Sequence, residues 1–238
     1  MKLSVVIPVF NEEKTIYQLL EMVLAEKTPK EIIVVDDGST DGTFKIIKKV
    51  KSQISKSNLE FKIIRNPINM GKGVAVRKGI ENATGDILII QDADLEYNPE
   101  DYARLIQPII EKKAKVVYGT RLKTLPFKLF GKNKTPMPLH YLANRFLSLI
   151  TNWLYDSNLT DMETGYKMIP REIYKKLRLE ANRFEIEPEI TAKILKLGFK
   201  ILEVPITTKP RGYREGKKIK ARDAFIAAWT LFKFRFLK

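Results

Sequence analysis

The first half of the chain alternates short, β-branched apolar runs with longer segments of helical period. That alternation restricts it to a mostly parallel α/β sheet with helices on its faces. The runs at 3–9, 31–35, 61–65, 87–90 and 116–119 read as strands. Segments 13–26, 71–82 and 99–112, and one through Phe44, Ile47 and Val50, read as helices. Ser39, Thr40 and Asp41 are candidate caps for the helix through Phe44, Ile47 and Val50. Ligands in such sheets bind beyond the carboxyl ends of the strands. Asn11, Glu12, Asp36, Asp37, Asp92, Asp94 and Arg121 all fall there.

The second half is less regular. Residues 123–138 are basic and loop-like. Segment 139–155 places Leu139, Leu142, Phe146, Leu149 and Trp153 on one stripe. Two readings are open: a helix packed on the core, or one lying in a membrane interface. A further helix is expected over 183–200 and a strand over 201–206. The tail, 221–238, sets Phe225, Trp229, Phe232 and Phe236 on one side and Arg222, Lys233, Arg235 and Lys238 elsewhere. That is the pattern of a basic amphipathic helix on anionic lipid, with a plain C-terminal docking helix as the alternative. The expected organisation is one domain over 1–220 and this tail.

Composition excludes several chemistries. The 238 residues include no cysteine, so a disulfide framework and a thiolate metal site are ruled out. His140 is the only histidine, which argues against a histidine triad or zinc centre. The formal charge is +15, and residues 209–238 hold ten Lys and Arg against two acidic residues. Such a surface meets nucleic acid, anionic lipid or a phosphorylated substrate. Aromatics interleaved with the tail's basic residues favour lipid over nucleic acid. The start of the chain does not read as a secretory signal. No apolar run approaches the ~18 residues of a membrane span. The expectation is a cytoplasmic protein held peripherally at the inner face of the cell membrane.

Asp92 and Asp94 leave the fourth strand on the same side, where two carboxylates can hold one hard divalent cation. Such a cation neutralises a diphosphate leaving group. Asp37, placed directly after a buried strand, can accept hydrogen bonds from a base edge or a ribose. Gly71, Lys72 and Gly73 open a helix whose amide end favours phosphate. The spacing is neither a Walker loop nor a dinucleotide fingerprint.

These segments together resemble the family 2 glycosyltransferases of the GT-A fold. The likeness lies in Ser4-Val-Val-Ile-Pro-Val-Phe-Asn-Glu-Glu13, Val34-Val-Asp-Asp-Gly-Ser-Thr-Asp-Gly-Thr43, Asn69-Met-Gly-Lys-Gly-Val-Ala75 and Gln91-Asp-Ala-Asp-Leu-Glu96. Tyr118-Gly-Thr-Arg121, Asp161-Met-Glu-Thr-Gly-Tyr-Lys167, Phe184-Glu-Ile-Glu187, Glu203-Val-Pro205 and Arg214-Glu-Gly-Lys-Lys218 resemble the dolichyl-phosphate mannose synthase group and its prokaryotic polyprenyl-phosphate relatives.

The resemblance implies a GT-A sheet carrying amphipathic interfacial helices. It implies that Pro8, Phe10, Glu12, Val35 and Asp37 line the nucleotide, with Gly71, Lys72 and Asp92 nearby. Asp92, Asp94 and Glu96 would surround Mg or Mn; glutamine is commoner at the third position. Arg121, with one of Arg211, Arg214 and Lys218, would grip the diphosphate and the acceptor phosphate. His140 reads as structural or interfacial, with an acceptor-phosphate contact as the alternative. Asp161 would orient substrate or act as a base, or else cap a turn.

The implied reaction is inverting transfer of a hexose to a dolichyl or polyprenyl phosphate, with GDP-mannose the favoured donor and UDP-glucose or another UDP-sugar the alternative. Asp94, Arg121 and Asp161 are its candidate catalytic residues. A phosphate monoester is already largely ionised at neutral pH, so no strong base is needed. A non-catalytic nucleotide-binding membrane adaptor is the rival from another class.

Overall fold

The computed structural model describes residues 1–28, 30–54, 59–122, 135, 138–209 and 221–237. Most of the basic loop expected over 123–138 lies outside these residues, as do Arg211, Arg214, Lys218 and Lys238.

Among the described residues, seven strands form one sheet in the order β3-β2-β1-β4-β6-β5-β7. They are β1 (Leu3–Val9), β2 (Lys30–Asp36), β3 (Phe61–Arg65), β4 (Ile87–Ile90), β5 (Val116–Thr120), β6 (Lys167–Pro170) and β7 (Ile201–Pro205). Only β6 runs against its neighbours, β4 and β5. The α/β class read from the sequence is the observed one.

Among the described residues, eight helices accompany the sheet: α1 (Ile16–Ala25), α2 (Thr43–Ile54), α3 (Lys72–Glu81), α4 (Asp101–Ile110), α5 (Pro138–Tyr155), α6 (Arg171–Tyr174), α7 (Ile186–Lys196) and α8 (Ala221–Phe236). The two-residue period of the strands sorts their side chains into two cores. Val5, Ile7 and Val9 pack with α1, α2 and α4 on one face. Val6, Ile33 and Val35 pack with α3 and α7 on the other. The capping expectation holds for Asp41, whose Oδ1 accepts the Thr43 amide at 3.0 Å. Ser39 and Thr40 instead bind Asn11, through its backbone amide and its side-chain amide.

The chain leaves β1 in both directions. β2 pairs with it along its full length, through Pro8 and Val9. β4 pairs only as far as Val6. Beyond Val6 the β4 side of β1 is open, which is where Pro8, with no N–H to donate, is tolerated. This divergence is the switch point at which sheets of this kind bind ligands. Because β6 is reversed, the segment leading into it, 161–166, arrives at the same edge.

A third core lies between α5, α7 and α8, built from Leu147, Leu154, Ala192, Ala227, Leu231 and Phe234. The apolar stripe of α5 is not part of it. Leu139, Leu142, Phe146, Leu149 and Trp153 are all exposed, Trp153 by 81%. The buried face carries Leu147, Ser148, Thr151 and Leu154. At about 100° per residue the two sets fall on opposite sides of the helix. The core-packing reading of this stripe is therefore overturned: Leu147 and Leu154, with Ser148 and Thr151 between them, make the contact, and the stripe points out. α8 does dock, through Ala227, Leu231 and Phe234, yet it leaves Phe225, Trp229, Phe232 and Phe236 exposed on its other side.

Candidate active site

A cavity of about 330 Å³ opens at the carboxyl edge over the β1–β4 divergence. The sheet order fixes the sequence of groups along its wall. Asp37 follows β2, and Pro8, Phe10 and Glu12 follow or end β1. Asp92, Asp94 and Glu96 follow β4, Glu163 precedes β6, and Arg121 follows β5. Gly71 and Lys72 enter from α3, Arg183, Phe184 and Glu187 from α7 and its approach.

Asp37 is a buried brace. Its Oδ1 accepts from Asn66 Nδ2 at 2.7 Å and the Met70 amide at 3.0 Å, and its Oδ2 from the Gly71 amide at 2.8 Å. Those bonds fix the turn that starts α3. The turn requires glycine: Gly71 has φ +102°, and a Cβ there would lie 2.3 Å from the Asn182 carbonyl oxygen. A carboxylate offers about four acceptor positions, so one is left to face the cavity.

Asp92 meets Lys72 Nζ at 2.7 Å, and the same ammonium lies 3.1 Å from Glu187 Oε1. Glu187 also pairs with the buried Lys167. Burial works against the charged form of Lys72, but the Asp92 and Glu187 carboxylates outweigh it and hold its pKa above the ordinary lysine value. For Asp92, burial pushes the carboxyl up; Lys72 opposes this, while Asp94 and Glu187 add to it. The backbone of Asp92 is set from behind. Gln91 Oε1 accepts from Tyr102 and Tyr166, both at 2.6 Å, and Gln91 Nε2 donates to the Asp92 carbonyl. Gly165 lies so close that a Cβ on it would sit 2.8 Å from Asp92 Oδ2.

Arg121 and Asp161 form a bidentate pair. Asp161 Oδ2 accepts from the Arg121 backbone amide at 2.9 Å and from Nε at 2.8 Å, and Oδ1 accepts from Nη2 at 2.7 Å. Asn144 of α5 donates to the same Oδ1 at 2.7 Å. Burial raises the Asp161 pKa, but Arg121 and these hydrogen bonds more than reverse that, leaving it below the usual carboxylate range. Asp161 is fully buried behind Arg121, which alone of the two lines the cavity.

Of the residues singled out in the sequence, ten line this one space: Pro8, Phe10, Glu12, Asp37, Gly71, Lys72, Asp92, Asp94, Glu96 and Arg121. Val35 does not. It is fully buried in the core under α3, because successive strand side chains alternate faces and its own points into the sheet's helical cover. His140 sits half-buried on the first turn of α5 and is not on the cavity wall. Among the described residues, no three His, Cys, Asp or Glu side chains gather tightly enough to hold a metal ion unaided. Asp92, Asp94 and Glu96 each line the cavity without forming a closed cage. Sequence reasoning missed Tyr97, Glu163 and Arg183 as wall residues and the Lys72–Glu187 link. The quoted motifs around Asp161 and Phe184 were the available signal.

The family profile described as glycosyl transferase family 2 matches residues 4–178. The chain belongs to glycosyl transferase family 2. The fold and cavity described above are thus those of a family 2 glycosyltransferase. It is 32% identical to a UDP-N-acetylglucosamine–dolichyl-phosphate N-acetylglucosaminyltransferase of Methanococcus voltae, over 98% of this chain and 94% of that one. It is 28% identical to a dolichyl-phosphate beta-glucosyltransferase of Trichomonas vaginalis, over 97% and 72% of the two chains. Among solved structures it resembles glucosyl-3-phosphoglycerate synthase from Mycobacterium tuberculosis in complex with Mn2+, UDP and glucosyl-3-phosphoglycerate. There the TM-score is 0.71 and the identity 20%, over 98% of this chain and 80% of that one, a likeness of GT-A fold.

Proposed function

We propose that this glycosyltransferase moves a hexose or hexosamine from a UDP-sugar to a dolichyl or polyprenyl phosphate, at a membrane surface and with inversion. The observation that carries the reading is the pairing of two features. One is the cavity in which carboxylates on β4 face Arg121; the other is the exposed apolar face of the helix that donates Asn144 to the Arg121 counter-ion. The relatives in the Methanococcus and Trichomonas proteins are named for dolichyl-phosphate acceptors, and the former for a UDP donor. These names support UDP over the GDP-mannose favoured from sequence alone.

The wall order supports the division of labour. Pro8, Phe10 and Asp37 bound the nucleoside end, and Gly71 and Lys72 bring an amide-rich helix start and an ammonium toward the diphosphate. Asp92 and Asp94 supply hard oxygen donors that suit a divalent cation such as Mg or Mn. Asp92 and Asp94 would hold such a cation together with oxygens of the bound substrate, so a full protein cage is not needed. When bound it neutralises charge on the departing diphosphate. Arg121, stiffened by Asp161, supplies a second fixed positive charge for diphosphate or acceptor phosphate. No residue has to deprotonate the nucleophile, because a phosphate monoester is already largely ionised at neutral pH. The protein's task is to bring two anions together.

No helix among the described residues is long and apolar enough to cross a membrane. The outward faces of α5 and α8 support a peripheral seat instead. The long isoprenoid stays in the bilayer, since each methylene withdrawn costs ~0.8 kcal/mol.

The test is a donor panel (UDP-glucose, UDP-N-acetylglucosamine, GDP-mannose) with Mn2+ and vesicles carrying polyprenyl phosphate. Metal-dependent transfer from a UDP-sugar to the lipid is the expected result. Transfer from GDP-mannose alone overturns the donor assignment. Transfer only to soluble acceptors overturns the membrane reading.

A further inference from the structure

Glu163 is a wall residue that the reaction outlined above does not use. One of its oxygens, Oε1, is buried with no hydrogen-bond partner among the described residues. The acids beside it are engaged: Asp161 by Arg121 and Asn144, and Glu187 by Lys72 and Lys167. Leaving a buried acceptor unpaired is costly, and native structures rarely do so without a reason.

Its backbone is held on both sides. The Asp161 amide donates to Glu203 Oε1 at 2.9 Å, and the Gly165 amide donates to Tyr97 Oη at 2.9 Å. The same two positions tie this segment to the diphosphate machinery, Asp161 through Arg121 and Gly165 through its close approach to Asp92. Glu163 is therefore fixed between the β4 carboxylates and Arg121. Read along the sheet, nucleoside groups come first at β2 and β1, diphosphate groups next at β4, and Glu163 just beyond at β6. In an extended sugar nucleotide, the group one step past the diphosphate is the sugar.

We propose that Glu163 is a donor-sugar contact, its buried Oε1 hydrogen-bonding a hydroxyl of the hexose and so helping to select which sugar is transferred. The inference rests on the reading of this site as one for a nucleoside diphosphate sugar. A hydroxyl suits the position because it both donates and accepts. Burial pushes the Glu163 carboxyl up to about 7, with Lys167 opposing and Glu187 adding to the effect. Near neutral pH the group thus offers a lone pair or an O–H, and either form matches a hydroxyl.

The experiment is calorimetric binding of UDP and of the intact UDP-sugar to the full chain with Mn2+. The two ligands differ by the sugar and by the extra ionisable oxygen that UDP carries on its terminal phosphate. Glu163→Ala is expected to weaken the UDP-sugar by at least about tenfold and to change UDP by less than about twofold. Glu163→Gln keeps a carbonyl acceptor and should restore most of the loss. A series of monodeoxy donors on the wild-type protein gives a reading free of folding effects: one position should lose the same factor, and that position should cost Glu163→Ala nothing further. Equal weakening of UDP and UDP-sugar, or no weakening of either, overturns the role of Glu163 while leaving the transferase reading intact. If the wild-type protein binds no sugar nucleotide, both fall.

Discussion

The outward aromatic face admits a quantitative test, because one pair of substitutions separates folding from membrane binding. Trp153 on α5 and Phe225 on α8 are 81% and 80% exposed. Replacing both by serine removes little buried area, so the melting temperature should move by no more than a degree or two. An aromatic side chain offers roughly 150–250 Å². With about four-fifths of that available and about half immersed at an interface, each residue contributes roughly 1.5–2.5 kcal/mol at ~25 cal/mol per Å². Together the pair accounts for about 3–5 kcal/mol, and partition onto vesicles should fall at least about a hundredfold. Sedimentation with anionic lipid vesicles measures this directly, and UDP binding to the same protein serves as the control. Unchanged partition would refute the reasoning. So would a melting temperature that falls in step with partition, because the rings would then be holding the fold together.

Three further outcomes are expected. Asp94→Ala should keep the wild-type melting temperature and lose metal-dependent transfer by at least about a hundredfold, read by a radiolabelled-sugar assay; retained turnover would remove Asp94 from the chemistry. Asp161→Ala strands Arg121 partly buried, so urea unfolding should report a loss of about 3 kcal/mol; Arg121→Met with Asp161→Leu should regain much of that stability but no turnover. Glu31 is fully buried and accepts from Ser4, the Thr84 and Gly85 amides and Lys62. Burial raises its pKa, but these donors lower it to about 2 from 4.5. A depressed folded-state pKa means that its contribution is complete above about 4.5 and is lost as the pH falls toward 2. Glu31→Gln should therefore flatten stability over that window, and an unaltered acid-unfolding profile would contradict it.

The strands legible in the sequence were those that obey one local rule. Leu3–Val9, Phe61–Arg65 and Ile87–Ile90 are apolar or alternating runs between turns, and the structure bounds them at the same residues. β6 escaped because it opens on a lysine and closes on a proline. Lys167 is buried only because Glu187, on a helix far along the chain, neutralises it. Such pairs leave no trace in local pattern, and the Lys72–Asp92–Glu187 link was invisible for the same reason. The carboxyl-edge cluster was readable because strand ends converge by topology once the sheet is parallel. Val35 was misplaced on the wall because a motif gives adjacency in sequence, while the pleat decides which neighbour turns away. Periodicity found the α5 stripe but not its direction, since a helix presents the same spacing whether the stripe meets protein or not.

One arrangement couples surface to centre. Asn144 and Trp153 belong to a single rigid rod, α5, and point to opposite sides of it. One helix thus carries both an exposed ring and the amide that steadies the Arg121 counter-ion. Were the ring side to rest on a bilayer, as proposed, the same rod would link that surface to the side chain that braces the guanidinium.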